Sequence, residues 1–388
     1  MLEITFWACV ACIAYPYLVY PLLLTVLARR RGDLVRERGG DRPSVSVVLA
    51  ARNEAASIGR RVREFATLIA STGLRGEVIV VSDGSSDGTA DAARAAGGEV
   101  VRVLELPANV GKAAALSAGC AVASHDVLVL ADARQTWAPD ALERLLENFV
   151  DPTVGAVGGH LILESDDGVL SGVGVYWRFE TWLRRTESRL HSSIGLTGAI
   201  AAVRRELFRP IPRGTLLDDV YWPLRVVMQG YRVVHDDRAL AYDRLPDRVR
   251  DEFRRKVRTL SGNFQLLVRL PAVLLPWRNP IWWQLVSHKL ARLLVPWALL
   301  GALGASAVLR GPLYHPLFLL QVAAYTAGLA GVLGIGTRLR AISVTSSFLI
   351  LNAAAWMAFW VWFSGRASQS WGQVVYEAPG AGPLENAE

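Results

Sequence analysis

What most constrains this chain is where its carboxylates are missing. No Asp or Glu occurs between Ile4 and Gly32, and none between Pro271 and Tyr376. Apart from the ends, every acidic side chain available for chemistry therefore lies in the middle of the polypeptide. Residues 4–28 are uncharged, about the ~20 residues needed to cross a bilayer, and run into Arg29-Arg30-Arg31. Residues 293–309, 313–335 and 341–364 form three further apolar runs of spanning or near-spanning length. The first run lacks a basic leading segment and a small-residue cleavage site, so it reads as an anchor rather than a removed signal. Pro16 and Pro21 are expected to kink it.

Basic flanks stay on the cytoplasmic side. The arginine triplet, the Arg-rich middle and Arg338 with Arg340 then lie inside, and the N-terminus outside. The expected location is a bacterial inner membrane, multi-pass, with the central domain cytoplasmic. The bacterial assignment follows from thirty-nine arginines against three lysines, the usage of a GC-rich genome. At 52% apolar and 20% charged residues the chain is no disordered polymer. Three cysteines exclude a disulfide framework and a four-cysteine zinc site. Cys9 and Cys12 have a redox spacing but lie in an apolar segment without a strand–helix unit. The net charge of +7 is read as a surface facing anionic lipid or a phosphorylated substrate, since no nucleic-acid motif accompanies it.

Between about 42 and 270 the pattern alternates. Residues 45–50, 77–82, 100–104 and 127–131 are strand-length apolar runs, separated by helical spacing over 55–71, 87–96 and 112–123. Such alternation predicts an α/β fold with a mainly parallel, Rossmann-like sheet covered by helices. Its ligand should bind beyond the strands' carboxyl ends, where Arg52-Asn53-Glu54, Asp83 and Asp132 fall. The predicted division is an N-terminal span (1–31), an α/β domain (42–245), interfacial amphipathic helices (246–290), membrane helices (291–366) and a tail (367–388). Asp83 reads as a ligand-facing residue and Asp87 as a helix cap. Asn109-Val110-Gly111-Lys112 opens a helix whose exposed N–H groups and lysine suit an anion.

Taken in order, these stations resemble the membrane-embedded family-2 glycosyltransferases, the group of cellulose, hyaluronan, chitin and poly-N-acetylglucosamine synthases. VVLAARNEAASI resembles the family's opening strand, and the resemblance gives Ala50, Arg52, Asn53 and Glu54 to the nucleotide, with Arg52 where many members have an aromatic residue. VSDGSSDGT carries over Asp83, and NVGKAAAL places Lys112 near the diphosphate. Ala131-Asp132-Ala133-Arg134 stands where the family has an Asp-x-Asp pair holding Mg²⁺ or Mn²⁺. Asp132 is then the metal residue, and Arg134 replaces the second carboxylate with a positive charge. Residues 194–199 (IGLTGA) resemble the acceptor turn, with Thr197 and Gly198. Leu217-Asp218-Asp219, eleven residues before Gly230-Tyr231, resembles the Thr-Glu-Asp element and makes Asp219 the catalytic base and Asp218 its acidic neighbour. Arg255 and Arg258 stand in the family's Gln-x-x-Arg-Trp position as clamps on the leaving diphosphate. Thr259 replaces the tryptophan, which weighs against processive polymerisation.

The resemblance thus implies a GT-A-type fold and an inverting transfer from a nucleotide-sugar, a UDP-sugar first, to a lipid-linked or polysaccharide acceptor. Alternatives are a processive synthase coupled to translocation, and a non-catalytic sugar-binding subunit of a larger synthase. Two further features stay open between readings. Tyr176, Trp177, Glu180, Trp182 and Glu187 on a helix at 173–191 are packing or interfacial anchors, or a sugar platform. Ser287-His288-Lys289 either meets phosphate headgroups or snorkels to the interface.

Overall fold

The computed structural model describes residues 1–30, 43–164, 171–244 and 249–366; the tail at 367–388 lies outside them. The strands are β1 (Val45–Ala51), β2 (Gly76–Asp83), β3 (Val101–Leu106), β4 (Val127–Ala131), β5 (Thr136–Trp137), β6 (Val154–Glu164), β7 (Ala201–Arg204) and β8 (Arg232–Arg244). The main helices in chain order are α1 (Leu2–Ala28), α2 (Ala55–Thr72), α3 (Thr89–Gly97), α4 (Lys112–Val122), α5 (Ala141–Glu147) and α6 (Ser171–Leu190). They continue with α7 (Asp218–Val227), α8 (Val249–Arg269), α9 (Trp282–Val308), α10 (Tyr314–Val332) and α11 (Arg340–Phe363).

One eight-stranded sheet runs in the order β3-β2-β1-β4-β7-β6-β8-β5. Its first half, β3-β2-β1-β4, is parallel, as the alternating pattern predicts. The second half is mixed: β7 runs antiparallel to β4 and β6, β8 parallel to β6, and β5 antiparallel to β8. VSVVLAA in β1 is apolar at nearly every position because helices cover both faces. Val47 and Leu49 share a core with Ile58, Val62 and Phe65 of α2 on one side, and Val48 shares one with Leu116 of α4 on the other. Each of those larger buried side chains stabilises the sandwich by about 1.5–3 kcal/mol.

The registers bring three strand exits to one edge. Ala51 lies opposite Ser82, and Leu49 opposite Ala131. Because β7 is antiparallel to β4 and pairs Ala201 with Leu130, the turn entering β7 arrives at this same edge. Arg52–Glu54, Asp83, Asp132 and residues 194–200 thus share one end of the sheet.

Among the described residues four helices, α1, α9, α10 and α11, are long and apolar enough to cross a membrane. In α1 a π-helical turn at Tyr15–Val19 holds Pro16, so the expected distortion is present as a widened turn. The α9 helix departs from expectation. It begins at Trp282, so the boundary drawn at 290/291 falls inside a continuous helix and Ser287-His288-Lys289 lies within it. Its first turns are rooted in the α/β domain, where Ile281 and Leu285 are fully buried in the core under the sheet. The α8 helix packs Val257 on Ala354 and Ala358 of α11, and its Ser261 hydroxyl reaches the Ala358 carbonyl at 3.1 Å.

Candidate active site

The β1–α2 and β2–α3 loops are laced together. Asn53 takes a left-handed backbone (φ 53°), the one non-glycine residue with positive φ among those described, which asparagine tolerates. Its Oδ1 accepts from the Ser86 N–H at 3.0 Å, and its own N–H donates to the Ser85 hydroxyl at 3.2 Å. Asp87 accepts from the N–H groups of Thr89 and Ala55, both at 3.0 Å, and so caps the first turns of α3 and α2. The Glu54 carboxylate accepts from the Ser57 hydroxyl at 2.6 Å. Ala50 is the one position of β1 that is not fully buried, and Arg52 beyond it is half-buried.

Asp83 is 3% exposed, and both carboxylate oxygens are engaged by the N–V–G segment: Val110 N–H donates at 2.7 Å and Gly111 N–H at 2.9 Å. Its placed role is to shape the loop that presents Lys112. Gly84 makes that approach possible, since a Cβ there would lie 2.5 Å from the Asn109 nitrogen, and its φ is +62°.

Lys112 is the hub. Its ammonium lies 2.5 Å from Asp132 Oδ1 and 3.9 Å from Asp218 Oδ2. It also lies 3.0 Å from where a Cβ on Gly198 would project, so glycine there gives the lysine room. Lys112, Thr197, Gly198, Asp218, Trp222 and the Leu130–Ala131 strand end line one cleft. Burial works to lower the Lys112 ammonium, but Asp132 and Asp218, with Asp219 behind them, outweigh it and hold its pKa above its ordinary range. Asp219 shows the opposite balance. Burial first, then repulsion from Asp218, push its carboxyl up to about 6, against the pull of Lys112. A group poised there is suited to general-base work near neutral pH. The backbone carbonyl of Asp219 accepts from the Leu196 N–H at 2.9 Å, which fastens the 194–198 turn to the start of α7.

Two expected residues, Arg134 and Arg255, point elsewhere. Arg134 lies 3.8 Å from Asp243 on β8, on the flank of the cleft rather than in it. Arg255 pairs with the buried Glu252 on its own helix at 2.7 Å, so the clamp expected of it is directed into α8. Arg258 sits half-buried on the same helix. Ser287-His288-Lys289 meets no headgroup surface at His288, which is fully buried. Its Nδ1 is 2.7 Å from Glu187 and its Nε2 3.1 Å from Glu180. These contacts make Glu180 and Glu187 parts of an ion cluster rather than of a sugar platform.

One contributor was not anticipated. The Arg61 side chain is fully buried, lies over the Phe65 ring at 4.1 Å and donates from Nε to the Asp132 carbonyl at 3.1 Å. Its signal was an arginine on the apolar stripe of α2, between Ile58 and Phe65, three residues before the Glu64 that pairs with it at 2.9 Å. It fixes the strand exit that carries Asp132.

A divalent ion suits this edge in one way. Among the described residues no group of three His, Cys, Asp or Glu gathers to hold a metal on protein ligands alone. Magnesium-type ions are, however, commonly held by one or two carboxylates together with substrate phosphates and water. Asp132, whose side chain is 27% exposed, offers such a single carboxylate, with Lys112 on one oxygen.

The open sheet, the loops at its carboxyl edge and the Lys–Asp cleft together define the class: a GT-A-type fold, shared with a solved glycosyltransferase. More particularly, residues 46–211 match the family described as Glycosyl transferase family 2, so the chain carries a family-2 glycosyltransferase domain. Among curated proteins it is similar to the poly-beta-1,6-N-acetyl-D-glucosamine synthase of Staphylococcus aureus (strain COL), 25% identical over 240 residues, 58% of this chain and 56% of that one. The Staphylococcus epidermidis synthase of the same name is 24% identical over 262 residues, 62% of this chain and 59% of that one. The matches thus span little more than half the length of these relatives. A solved mannosyltransferase from Pyrobaculum calidifontis, in complex with GDP-Man and Mn²⁺, shares the fold. Its TM-score is 0.71 at 23% identity, over 94% of this chain and all of that one.

Proposed function

We propose that the chain is a membrane-bound inverting glycosyltransferase. It transfers a sugar from a nucleotide-sugar, a UDP-sugar first, to a lipid-linked or polysaccharide acceptor in cell-surface glycan synthesis. The observation that carries this reading is the meeting of Lys112, Asp132, Asp218 and the Thr197–Gly198 turn in one cleft at the sheet's carboxyl edge. The relatives' printed activity, synthesis of an N-acetylglucosamine polymer, supports a glycan product. The proposed site is the inner face of a bacterial inner membrane, with α1, α9, α10 and α11 in the bilayer.

The reaction is a single displacement. The acceptor oxygen forms a bond to the anomeric carbon while the bond from that carbon to the phosphate oxygen breaks, and the nucleoside diphosphate leaves with the electron pair. Asp219 takes the acceptor's proton, a role typically worth 10²–10⁴-fold. Lys112 lies where charge develops on the diphosphate and stabilises it in a cleft of low dielectric. Asp83 and Gly84 hold the loop that aims Lys112, and Thr197 and Gly198 border the acceptor side. Arg52, Asn53 and Glu54 border the nucleotide side. Asp132 would hold a divalent ion, which when bound neutralises the diphosphate as a Lewis acid. Arg134 and Arg258 act at longer range through their charge. With Thr259 where polymerases carry tryptophan, limited addition is favoured over a long polymer.

The test incubates purified protein in lipid with radiolabelled UDP-N-acetylglucosamine, UDP-glucose and GDP-mannose in membranes that supply acceptor. Release of nucleoside diphosphate from one donor, with label entering lipid- or glycan-bound product, supports the reading. Donor binding without release from any of the three would favour the non-catalytic subunit instead.

A further inference from the structure

The buried polar cluster at the root of the membrane helices does no chemistry in the scheme above, yet it is wired to the cleft. Gln284, 3% exposed, donates through Nε2 to the Ser192 carbonyl at 2.9 Å and lies 3.4 Å from the Glu187 carbonyl. His288, fully buried four residues on, places Nδ1 2.7 Å from the Glu187 carboxylate and Nε2 3.1 Å from that of Glu180. From α1, the Tyr20 hydroxyl donates to the same Glu187 oxygen at 2.6 Å. The first two apolar helices therefore both grip the last turns of α6.

That grip passes directly into the turn beside the reacting groups. Two residues separate Ser192 from Gly195. The Ser193 hydroxyl donates to the Gly195 carbonyl at 2.7 Å, and Leu196 N–H donates to the Asp219 carbonyl at 2.9 Å. Thr197 and Gly198 follow at once in the cleft. Polar groups this deeply buried are costly to desolvate unless their geometry is well satisfied. A stripe of Leu or Val would root α9 in the domain without that cost. What the polar contacts add is direction, since a carbonyl and a carboxylate held by directed donors fix a backbone more tightly than apolar packing does.

We infer that Gln284 and His288 are positioning residues of the transferase site. Through the Ser192 carbonyl and the Glu187 carboxylate they set the turn carrying Thr197 and Gly198 against Asp219, so that acceptor use depends on how α1 and α9 are seated in the membrane. The inference rests on the reading of residues 194–198 as the acceptor turn. It assigns nothing to the donor half of the site, which hangs on other loops.

The experiment uses the full chain in lipid nanodiscs for exchange and binding, and native membranes for turnover. Gln284→Leu and His288→Gln are compared with Tyr20→Phe, which removes one hydroxyl and should fold, and with Thr197→Val. Hydrogen exchange should rise in 191–198 and stay unchanged in 82–89 and 108–113, with UDP and GDP affinities unaltered. The ratio of label incorporated into product to label released as free sugar by water should fall about tenfold for Gln284→Leu, given that ångström-scale misplacement can cost ~10²-fold. Tyr20→Phe should show the same change in smaller degree. A global defect would instead depress incorporation, hydrolysis and nucleotide binding together. Unchanged exchange in 191–198, or an unchanged ratio in Gln284→Leu while Thr197→Val lowers it, overturns the positioning role. A ratio unmoved by Thr197→Val overturns the acceptor-turn reading on which it stands.

Discussion

Replacing Asp218 by Asn offers the sharpest test of how the carboxylate pair works. In the folded protein Asp219 is pushed from 3.8 to about 6, by burial first and by the Asp218 charge second, with Lys112 opposing both. That rise of about 2 units corresponds to about 3 kcal/mol disfavouring the ionised base. Asp218→Asn leaves the burial and removes the second contribution. It also frees Lys112 from a partner at 3.9 Å, so the lysine acts more fully on Asp219. Both changes lower the pKa. A fall of about one unit, ~1.4 kcal/mol, would move the acid limb from about 6 to about 5. Because the base works ionised, activity is gained as pH rises through the limb and lost as pH falls through it. At pH 5 the ionised fraction then goes from roughly a tenth to roughly a half. Activity at pH 5 relative to pH 7.5 should thus rise about fivefold, even if the plateau drops. The assay is the pH–rate profile of nucleoside diphosphate release in lipid, with the limb assigned to the pair rather than to one residue. A limb that stays put or moves upward would refute the reasoning.

Asp83→Asn should cost about 1–3 kcal/mol, because an amide accepts through one oxygen where Val110 and Gly111 N–H now find two; thermal unfolding and donor KM would both register it. Chelation with EDTA should abolish transfer and Mn²⁺ or Mg²⁺ should restore it, read as product formed before and after back-titration. Lys112→Met should weaken nucleoside diphosphate binding by more than tenfold, since the cation facing the diphosphate would be gone and Asp132 would lose its partner at 2.5 Å; titration with UDP and GDP measures it.

The parallel half of the fold was legible because its strands are buried on both faces and read as unbroken apolar runs: β4 was located to the residue, and β1 and β2 to within one at each end. The mixed half was not, since β7 has only four residues and β5 two, too few for a periodicity to show. Order along the chain mirrors order along the sheet edge for Lys112 and Asp132, which meet there, whereas Asp83 reaches the same edge with its carboxylate turned into the loop at Val110 and Gly111. The site was not legible where pairing is distant. Arg134 finds Asp243, and His288 finds Glu180 and Glu187 about a hundred residues back. The charged start of α9 looked like the end of a soluble segment because its partners lie on another helix. Arg255 with Glu252 is different: three residues apart on one helix, the pair has the spacing of a helical ion pair in the sequence itself.

The central claim is that Asp219, next to Asp218 at the Lys112–Asp132–Asp218 cleft, takes the acceptor proton. The most direct measurement pairs transfer by Asp219→Asn in lipid with its nucleoside diphosphate affinity. The account predicts transfer reduced by at least ~10²-fold with affinity within about twofold of the native chain. Native-like transfer by Asp219→Asn, or loss of transfer only in step with lost nucleotide binding, would contradict it.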